Sequence, residues 1–511
     1  MIIRGVVLAL LLSAANLSLG QVSPLTPAQP SLVLVVVVDQ MRYDYLTRFG
    51  SEFDGGLARL LNEGAVFTNA QYEAAPTMTA VGHSTILSGA TPSVSGIAGN
   101  TWYERSEGRN VQSITDADVT PLGGGNGASP KRLAVTTIGD ELKASGKGGK
   151  VFGVSLKDRS AILPPGRSAD GAFWLVNGNF VSSSWYFPEL PTWVASFNEG
   201  KPADRYAARQ WLDAVMPGEP GDELYGALDA SPFADELVLE FALALMREED
   251  LGKGNTTDLL SISLSAVDYV GHAGGPDTPQ MHDMLLQTDR RIEELLDAAQ
   301  SQAGRDKVLL ILTADHGVAP VPEENVAKKL PGGRYNARDE QAAVEAALSA
   351  AFGPATYIEA VGEMGLYLKA EPIAGQAIPF VAIQEIAAAT LRRQPAVARV
   401  YTRVELERGF GAGDRIDRRI YNGFSAAHSP DVLVVHEPNW LGSGYGGTTH
   451  GSPYSYDTHV PVIFWGPEAL VKPGVYHQEV AVHDIAPTLA AMLGIATPSG
   501  SLGRVLSEII P

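Results

Sequence analysis

The stretch SLVLVVVVDQ, from Ser31 to Gln40, is a continuous run of branched apolar residues that ends abruptly at Asp39. A strand with one exposed face alternates polar and apolar residues, whereas a strand of a parallel sheet is buried on both faces and is apolar throughout. The run therefore predicts a central strand of a parallel sheet, with Asp39 just past its carboxyl end.

Similar runs recur along the chain. They are KVFGVSL before Lys157, DLLSISLS before Asp268, KVLLILT before Asp315, and also DVLVVHE (residues 431–437) and VPVIFWG (residues 460–466). Helical patterns separate them, as in residues 278–299, where one face carries Met281, Met284, Leu285, Ile292, Leu295 and Leu296. The alternation predicts an α/β sandwich with a largely parallel central sheet and helices on both faces. In such sheets, functional groups gather beyond the carboxyl ends of the strands.

Composition excludes several kinds of protein. The chain has 511 residues, 45% hydrophobic and 19% charged, which is an ordinary globular composition. A net charge of −20 argues against nucleic acid or an anionic membrane as the main partner. The chain has no cysteine, which excludes disulfides, thiolate metal sites, a cysteine nucleophile and a lipidated cysteine.

The first residues form a targeting pattern. Arg4 precedes the apolar run Val6 to Ala15, and small residues follow up to Gly20. We interpret residues 1–20 as a secretory signal rather than a membrane anchor, because the run is too short to span a bilayer. This predicts a periplasmic or secreted protein with no anchor after cleavage. Residues 31–511 are interpreted as a single catalytic domain, in which segments 165–235 and 320–430 are insertions that wall the site.

Acidic and imidazole side chains cluster at the predicted strand ends. Asp268 and His272 are four residues apart, so both can reach one metal ion. Asp315 and His316 are adjacent and point apart, which suits two neighbouring ions better than one. Asp39 ends the first strand.

A further histidine ligand is expected on the glycine-rich loop GGTTHGSPYSYDTHVP, where His450 is the candidate and His459 its rival. Oxygen and nitrogen donors without sulfur fit two divalent ions; zinc is favoured, and manganese, iron and cobalt stay open. A lone Asp-x-x-x-His is more often a surface pair, but several such groups at neighbouring strand ends are hard to explain structurally. The other histidines lack an acidic partner at ligand spacing or lie on apolar runs, and are interpreted as structural: His83, His282, His428, His436, His477 and His483.

The sequence also offers cations and a hydroxyl. Lys157 and Arg159 lie two residues apart just past a predicted strand and can bind phosphoryl oxygens; without the metals they would be ordinary solvated residues. Thr77 and Thr79 precede a predicted helix, and a threonine hydroxyl needs a base or a metal to become a nucleophile. Thr79 is mildly favoured because it starts the helix, where free N–H groups stabilise an anion. GGGNG (residues 123–127) lacks the Lys-Ser/Thr of a phosphate-binding loop.

Together these stretches resemble the alkaline phosphatase superfamily, and more narrowly the phosphate-irrepressible alkaline phosphatases. The resemblance rests on VVDQMRYDYL, PTMTAVGHSTILSG, GIAGNTW, SLKDRSAILPPG, DYVGHAGGP, TADHG, GTTHG and VHDIAPTLAAMLGI. It implies a metal-centred α/β sandwich and a monoesterase that acts through a phospho-threonine. The implied roles are Thr79 as nucleophile and metal ligand, one metal on Asp268, His272 and His450, the other on Asp39, Asp315 and His316, and substrate oxygens on Asn100, Lys157 and Arg159.

The expected substrates are small-molecule phosphomonoesters, and the oligomeric state stays open, with a monomer compatible with the sequence. The nearest alternative is a phosphodiesterase or nucleotide pyrophosphatase, which shares the metal site. A binding module, in which metals only stabilise the fold, is a second alternative. A sulfatase is disfavoured, because the chain has neither a cysteine nor a Ser-x-Pro-x-Arg motif for the required modification.

Overall fold

The apolar run at Ser31 forms the central strand of a large sheet, as its sequence predicts. In the computed structural model, which describes residues 29–409, 413–444 and 446–511, the strand spans Leu32–Val38 (β1) and every residue in it is buried. The other main strands are β2 (Ala65–Gln71), β3 (Gly148–Ser155), β4 (Gly171–Val176), β5 (Asn179–Ser183), β6 (Thr257–Leu264), β7 (Val308–Thr313) and β8 (His459–Trp465). The predicted signal segment lies outside the described residues.

The order of strands across the sheet is β2–β8–β7–β1–β6–β3–β4–β5. The five strands from β7 to β4 are mutually parallel, while β8 is antiparallel to both of its neighbours and β5 is antiparallel to β4. Three short strands extend the edges: Pro121–Leu122, Gly474–Tyr476 and Val480–Ala481. The prediction of a largely parallel central sheet is confirmed, and the fully buried β1, β6 and β7 show that both of its faces are covered.

One predicted strand lies elsewhere. The run at 431–437 forms Val432–His436 in a separate four-stranded antiparallel sheet with Ile358–Gly362, Gly365–Leu368 and Val397–Thr402. We call this the small sheet. Its apolar residues pack with those of two helices, Ala337–Phe352 and Phe380–Leu391, into a cluster of its own. The run is apolar because it is buried, and burial alone does not specify the sheet to which a strand belongs.

Four helices matter for the site: α1 (Thr79–Ser88), α2 (Pro232–Glu248), α3 (Ala266–Gly274) and α4 (Pro279–Ala303). The apolar face predicted for residues 278–299 is confirmed, since all six of its residues are buried in α4. The remaining helices are Asp44–Arg48, Gly56–Glu63, Pro92–Ser95, Ile138–Ala144, Asp158–Ile162, Thr192–Glu199, Asp222–Asp229, Pro322–Ala327, Arg403–Arg408, Arg415–Gly423, Ser455–Thr458 and Ile485–Leu493, besides the two that pack on the small sheet.

The two segments interpreted as insertions differ in structure. Residues 165–235 contribute β4 and β5 to the large sheet, whereas residues 320–430 contribute three strands of the small sheet. The single-domain interpretation stays a prediction. Within the described part of the chain, no helix combines the length and the apolar character needed to cross a bilayer.

Candidate active site

The predicted site residues meet at the carboxyl edge of the parallel strands. Asp39 follows β1 directly, and its N–H donates to Leu264 O at the end of β6, 2.9 Å away. Lys157 follows β3, and Asp315 follows β7. Because these strands are neighbours and parallel, their carboxyl ends lie side by side, which brings residues distant in sequence to one point.

The first group of candidate ligands contains Asp268, His272 and His450, whose ligand atoms all lie within 4.8 Å of one another. Asp268 and His272 share α3, and His272 Nε2 is 3.1 Å from Asp268 Oδ1. His450 Nε2 is 3.6 Å from the same oxygen. His459, the alternative to His450, stacks on Tyr43 and contacts Thr68 O instead.

The second group surrounds His316. Its Nε2 lies 3.3 Å from Asp315 Oδ2 and 3.6 Å from Asp39 Oδ1. The ligand atoms of Asp39, Asp268 and His316 also lie within 4.8 Å of one another, so Asp268 lies between the two groups. The His316 and His450 rings stack with centroids 3.5 Å apart. All six predicted protein ligands other than Thr79 thus belong to one cluster.

The three histidines of the cluster are oriented in the same way. The Nδ1 atom of each lies at hydrogen-bond distance from a backbone oxygen: 2.9 Å for His272 to Thr448, 3.0 Å for His316 to Gly317, and 2.7 Å for His450 to Thr77. Donation from Nδ1–H to a carbonyl leaves the Nε2 lone pair facing the carboxylates. Metal-binding histidines are commonly held in this way.

Unpaired buried atoms indicate what the cluster can bind. Asp39 Oδ1 and His316 Nε2 are buried, and neither has a hydrogen-bond partner among the described residues. An unsatisfied buried polar atom is costly, and a cation between these two atoms would satisfy both. The oxygen and nitrogen donors therefore fit divalent ions of the zinc type.

Burial and close charged neighbours shift the pKa values of the ionisable groups in the cluster. Burial, followed by the neighbouring Asp315 carboxylate, raises the pKa of Asp39 well above its usual value. Burial would likewise raise the pKa of Asp315, but His316 and His83 together hold it below its usual value. Burial would lower the pKa of Lys157, yet Asp268 and Asp39 raise it, since Lys157 Nζ is 2.6 Å from an oxygen of each. Lys157 thus contacts candidate ligands of both groups.

The two threonines differ in position. Thr79 is buried and is the first residue of α1, whereas the Thr77 hydroxyl donates to Ser452 O, 2.9 Å away. Helix α1 packs closely on the segment that follows β7, because a Cβ on Gly82 would lie only 2.2 Å from Asp315 O. The N-terminus of α1 therefore lies near the acidic cluster, and the positive end of the helix favours an anion there.

Two of the predicted substrate-binding residues border this helix and the cluster. Asn100 Oδ1 accepts a hydrogen bond of 2.8 Å from the Ala80 N–H, which holds the carboxamide at the start of α1. The Arg159 side chain is about one-quarter exposed (26%), and its buried Nε has no hydrogen-bond partner among the described residues. The roles of Thr79, Asn100, Lys157 and Arg159 stay predictions.

Two residues that contact the candidate ligands were not predicted from the sequence as site residues. Gln40 is buried, and its Nε2 donates to Asp268 Oδ1 at 2.5 Å while its N–H donates to Asp315 Oδ1 at 3.1 Å. His83, interpreted as merely structural, has Nδ1 at 3.2 Å from Asp315 Oδ2. A signal existed for both: Gln40 follows the strand-ending Asp39, and His83 lies one helical turn after Thr79.

Comparison with known proteins agrees with this geometry. The sequence matches the family model "Type I phosphodiesterase / nucleotide pyrophosphatase" over residues 33–459. It is 34% identical to alkaline phosphatase PhoV of Synechococcus elongatus, over 96% of this chain and 94% of that protein. It is 33% identical to alkaline phosphatase PafA of Elizabethkingia meningoseptica, over 94% and 95% respectively.

Solved structures give the same result. The crystal structure of wild-type alkaline phosphatase PafA superposes with a TM-score of 0.89 at 32% identity and covers 95% of this chain and 99% of that one. A murine ectonucleotide pyrophosphatase/phosphodiesterase 5 shares the fold, with a TM-score of 0.55 at 15% identity over 91% and 95% of the two chains. The fold and the family model place the chain in the type I phosphodiesterase / nucleotide pyrophosphatase family. Within it, the chain belongs to the alkaline phosphatases.

Proposed function

We propose that this protein is a metal-dependent phosphate monoester hydrolase that acts through a phospho-threonine at Thr79. The carrying observation is that two groups of oxygen and nitrogen ligands meet beside the N-terminus of the helix that Thr79 begins. The full-length similarity to proteins named alkaline phosphatase supports the same reaction.

The proposed ligands are Asp268, His272 and His450 for one ion, and Asp39, Asp315 and His316 with the Thr79 oxygen for the other. We propose zinc for both positions, because neutral imidazoles and carboxylates without thiolates suit it. Bound there, two divalent ions would favour ionisation of the Thr79 hydroxyl and stabilise charge on the leaving oxygen.

The chain itself positions the phosphoryl group. In the first step, the Thr79 oxygen bonds to phosphorus while the bond from phosphorus to the ester oxygen breaks, and the alcohol departs after it gains a proton. In the second step, water attacks phosphorus, the bond to Thr79 Oγ breaks, and inorganic phosphate leaves. The N–H groups at the start of α1, the Asn100 amide, Lys157 and Arg159 hold the phosphoryl oxygens in both steps.

The test combines turnover with trapping of the intermediate. Purified protein should hydrolyse 4-nitrophenyl phosphate, lose that activity on dialysis against a chelator, and regain it with zinc. Acid quenching during turnover followed by peptide mass spectrometry should find phosphate on the peptide that contains Thr79. Absence of turnover from metal-reconstituted protein, or turnover that survives complete metal removal, would contradict the proposal, and absence of turnover would favour a binding module.

A diesterase is the second candidate, because the matching family model is that of the type I phosphodiesterases. It is tested by kcat/KM for a monoester and a diester with the same 4-nitrophenyl leaving group, on one metal-defined preparation. We expect the monoester to be faster, and a faster diester would favour this second candidate.

We also propose export from the cytoplasm, from the signal pattern in residues 1–20. N-terminal sequencing of the protein from cell fractions should find a mature chain that starts at Gln21 in the periplasm or medium. A cytoplasmic protein with its N-terminal segment intact would contradict export.

A further inference from the structure

A cavity of about 150 Å³ opens between the small sheet and the loop that carries His450. One wall contains Met78, which directly precedes Thr79, together with Thr449 and His450. The opposite wall is formed by the small sheet, and the cavity has the volume of those that hold a single benzene-sized ring. It therefore begins within one residue of the candidate nucleophile, beside the candidate ligand His450, and extends to the small sheet.

The tip of a small-sheet hairpin connects the cavity to the phosphate side of the site. Glu363 and Met364 form the two-residue turn between Ile358–Gly362 and Gly365–Leu368, and both line the cavity. Glu363 Oε2 accepts from the Asn100 N–H at 3.2 Å, and its Oε1 accepts from the Thr101 N–H at 3.1 Å. A phosphoryl group between Thr79 and Asn100 would thus have this cavity as its neighbour.

The cavity walls are aromatic and acidic. Tyr335 stacks on His436 with ring centroids 3.5 Å apart, Trp440 and Tyr454 lie nearby in the same lining, and Glu340 is 3.2 Å from His436 Nε2. The carboxyl groups in the lining are those of Glu340, Glu363, Glu437 and Asp457, and no lysine or arginine is among the described residues that line it. Burial raises the pKa of Glu363 and of Asp457 to about 7, so the acidic character of the lining rests mainly on Glu340 and Glu437. Their charge is opposite to that of Lys157 and Arg159 on the other side of the site.

We propose that this cavity is the leaving-group subsite, and that it accepts the ring of a neutral or cationic phosphomonoester while it disfavours leaving groups with negative charge. The inference rests on the proposed function, because it presumes that the site cleaves monoesters. Aromatic walls provide stacking surface for a ring, and cations are attracted to both aromatic faces and carboxylates. A second phosphate or a carboxylate on the leaving group would lie among the acidic side chains and be repelled.

The first experiment varies only the charge of the substrate. Three phenyl phosphates with para substituents of similar electronic effect are compared: 2-aminoethyl (cationic), carboxamidomethyl (neutral) and carboxymethyl (anionic). We expect kcat/KM to fall in that order, with roughly a tenfold difference between the cationic and anionic substrates at low ionic strength. Equal values for all three, or a preference for the anionic one, would overturn the inference.

The second experiment removes charge from the wall. The double variant Glu340→Gln/Glu437→Gln should reduce the cationic-to-anionic ratio roughly threefold or more, because two carboxylates are lost from the lining. The matched control is Glu248→Gln/Glu468→Gln, which makes the same change in net charge at two exposed residues outside the cavity. A ratio that changes equally in both double variants would assign the effect to overall charge and contradict the subsite.

Methyl phosphate, whose leaving group is too small to enter the cavity, separates this inference from the proposed function. Its kcat/KM should change much less in the wall variant than that of the cationic phenyl phosphate, which falls. If the wall variant does not fold, the comparison of the three phenyl phosphates on wild-type protein still tests the subsite. Failure to hydrolyse any monoester would contradict the proposed function itself, whereas hydrolysis without charge preference would contradict only the subsite.

Discussion

Gln40 lies between the two groups of candidate ligands and contacts both. Its backbone is left-handed, with φ of 67°, and that conformation directs the N–H to Asp315 and the side-chain amide to Asp268. A non-glycine residue in this conformation is strained, and such strain persists only where the surroundings hold it. Because we propose that Asp268 and Asp315 bind different ions, we expect Gln40 to act as a positioning residue for both carboxylates.

Replacement of Gln40 by glycine tests this role, because glycine keeps the left-handed backbone without strain and removes only the amide side chain. We expect metal affinity, measured by competition with a chromophoric chelator, to fall roughly 10- to 100-fold for at least one ion. Gly271→Ala should act in the same direction, since a Cβ there would lie 1.7 Å from Gln40 Oε1 and displace the amide. Gln376→Gly, at an exposed loop residue, is the control, and unchanged affinity in both site variants would refute the role.

Thr79 is tested by two substitutions that differ only in the hydroxyl. Thr79→Ala should lower kcat roughly 10³-fold or more while the protein still binds metal, because the attacking group is gone. Thr79→Ser should keep substantial activity, since serine supplies the same oxygen. Thr77→Ala is the matched control, and its hydroxyl donates to Ser452 O rather than facing substrate. Near-normal activity of Thr79→Ala beside an inactive Thr77→Ala would show that the wrong threonine was chosen.

At the scale of elements, the sequence predicts where strands occur better than it predicts which strands pair with each other. The run of β1 is apolar throughout because both of its faces are covered. Such a run can be recognised from consecutive residues alone. Val432–His436 shows the same pattern, yet it pairs with Gly365–Leu368 and Val397–Thr402 of the small sheet, a choice that depends on distant segments. Likewise the sequence places Asp39 and Asp315 at strand ends. For Gln40 it gives only the position after Asp39, because the contact with Asp268 depends on where α3 lies in the fold.

Helices α2 and α3 are joined by a buried carboxylate. Asp235, in the first turn of α2, accepts a hydrogen bond of 3.1 Å from the Ala266 N–H at the start of α3, the helix that carries Asp268 and His272. Burial raises the pKa of Asp235 to about 7, although the backbone hydrogen bonds oppose this. Its other oxygen, Oδ2, is buried with no hydrogen-bond partner in the described structure.

The sign of the resulting pH dependence follows from proton binding. The folded state holds the Asp235 proton up to about pH 7, whereas an unfolded aspartate loses it near pH 4, so wild-type stability falls as pH rises through this window. The upper bound of that loss is roughly 4 kcal/mol. Asp235→Asn, which cannot ionise, should therefore gain stability relative to wild type between pH 5 and pH 8, measured by denaturant unfolding of metal-saturated protein. For Asp222→Asn, at an exposed residue, the difference in stability from wild type should not change with pH. A difference for Asp235→Asn that also stays constant with pH would contradict the argument.

At the scale of the whole molecule, the charge of the chain opposes its proposed substrate. A net charge of −20 repels a phosphate dianion at long range, and the candidate site itself contains three buried aspartates. Two divalent ions would offset those aspartates and the Thr79 oxygen and leave the site near neutrality. We therefore expect selectivity for a dianion over a monoanion to come from Lys157 and Arg159.

Lys157 and Arg159 differ in the carboxylates that they contact, apart from any role in substrate binding. Lys157 Nζ contacts Asp39 and Asp268, so its removal should disturb metal binding as well as substrate binding. In the described structure Arg159 forms an ion pair with Asp158, 3.8 Å away, and also interacts electrostatically with Glu363; neither carboxylate is a candidate metal ligand. Arg159 is therefore the cleaner probe of substrate charge.

Arg159→Ala should cost roughly 10²-fold in kcat/KM for a monoester and much less for a diester, with metal content unchanged by elemental analysis. A monoester at neutral pH carries nearly two charges and has three phosphoryl oxygens without a substituent, whereas a diester carries one charge and its second substituent occupies the place of an oxygen that arginine would bind. Arg167→Ala, at an exposed arginine, is the matched control and should leave both substrates unaffected. Equal losses on monoester and diester would mean that Arg159 supports the fold or the metals, and selectivity would then have to come from another part of the site.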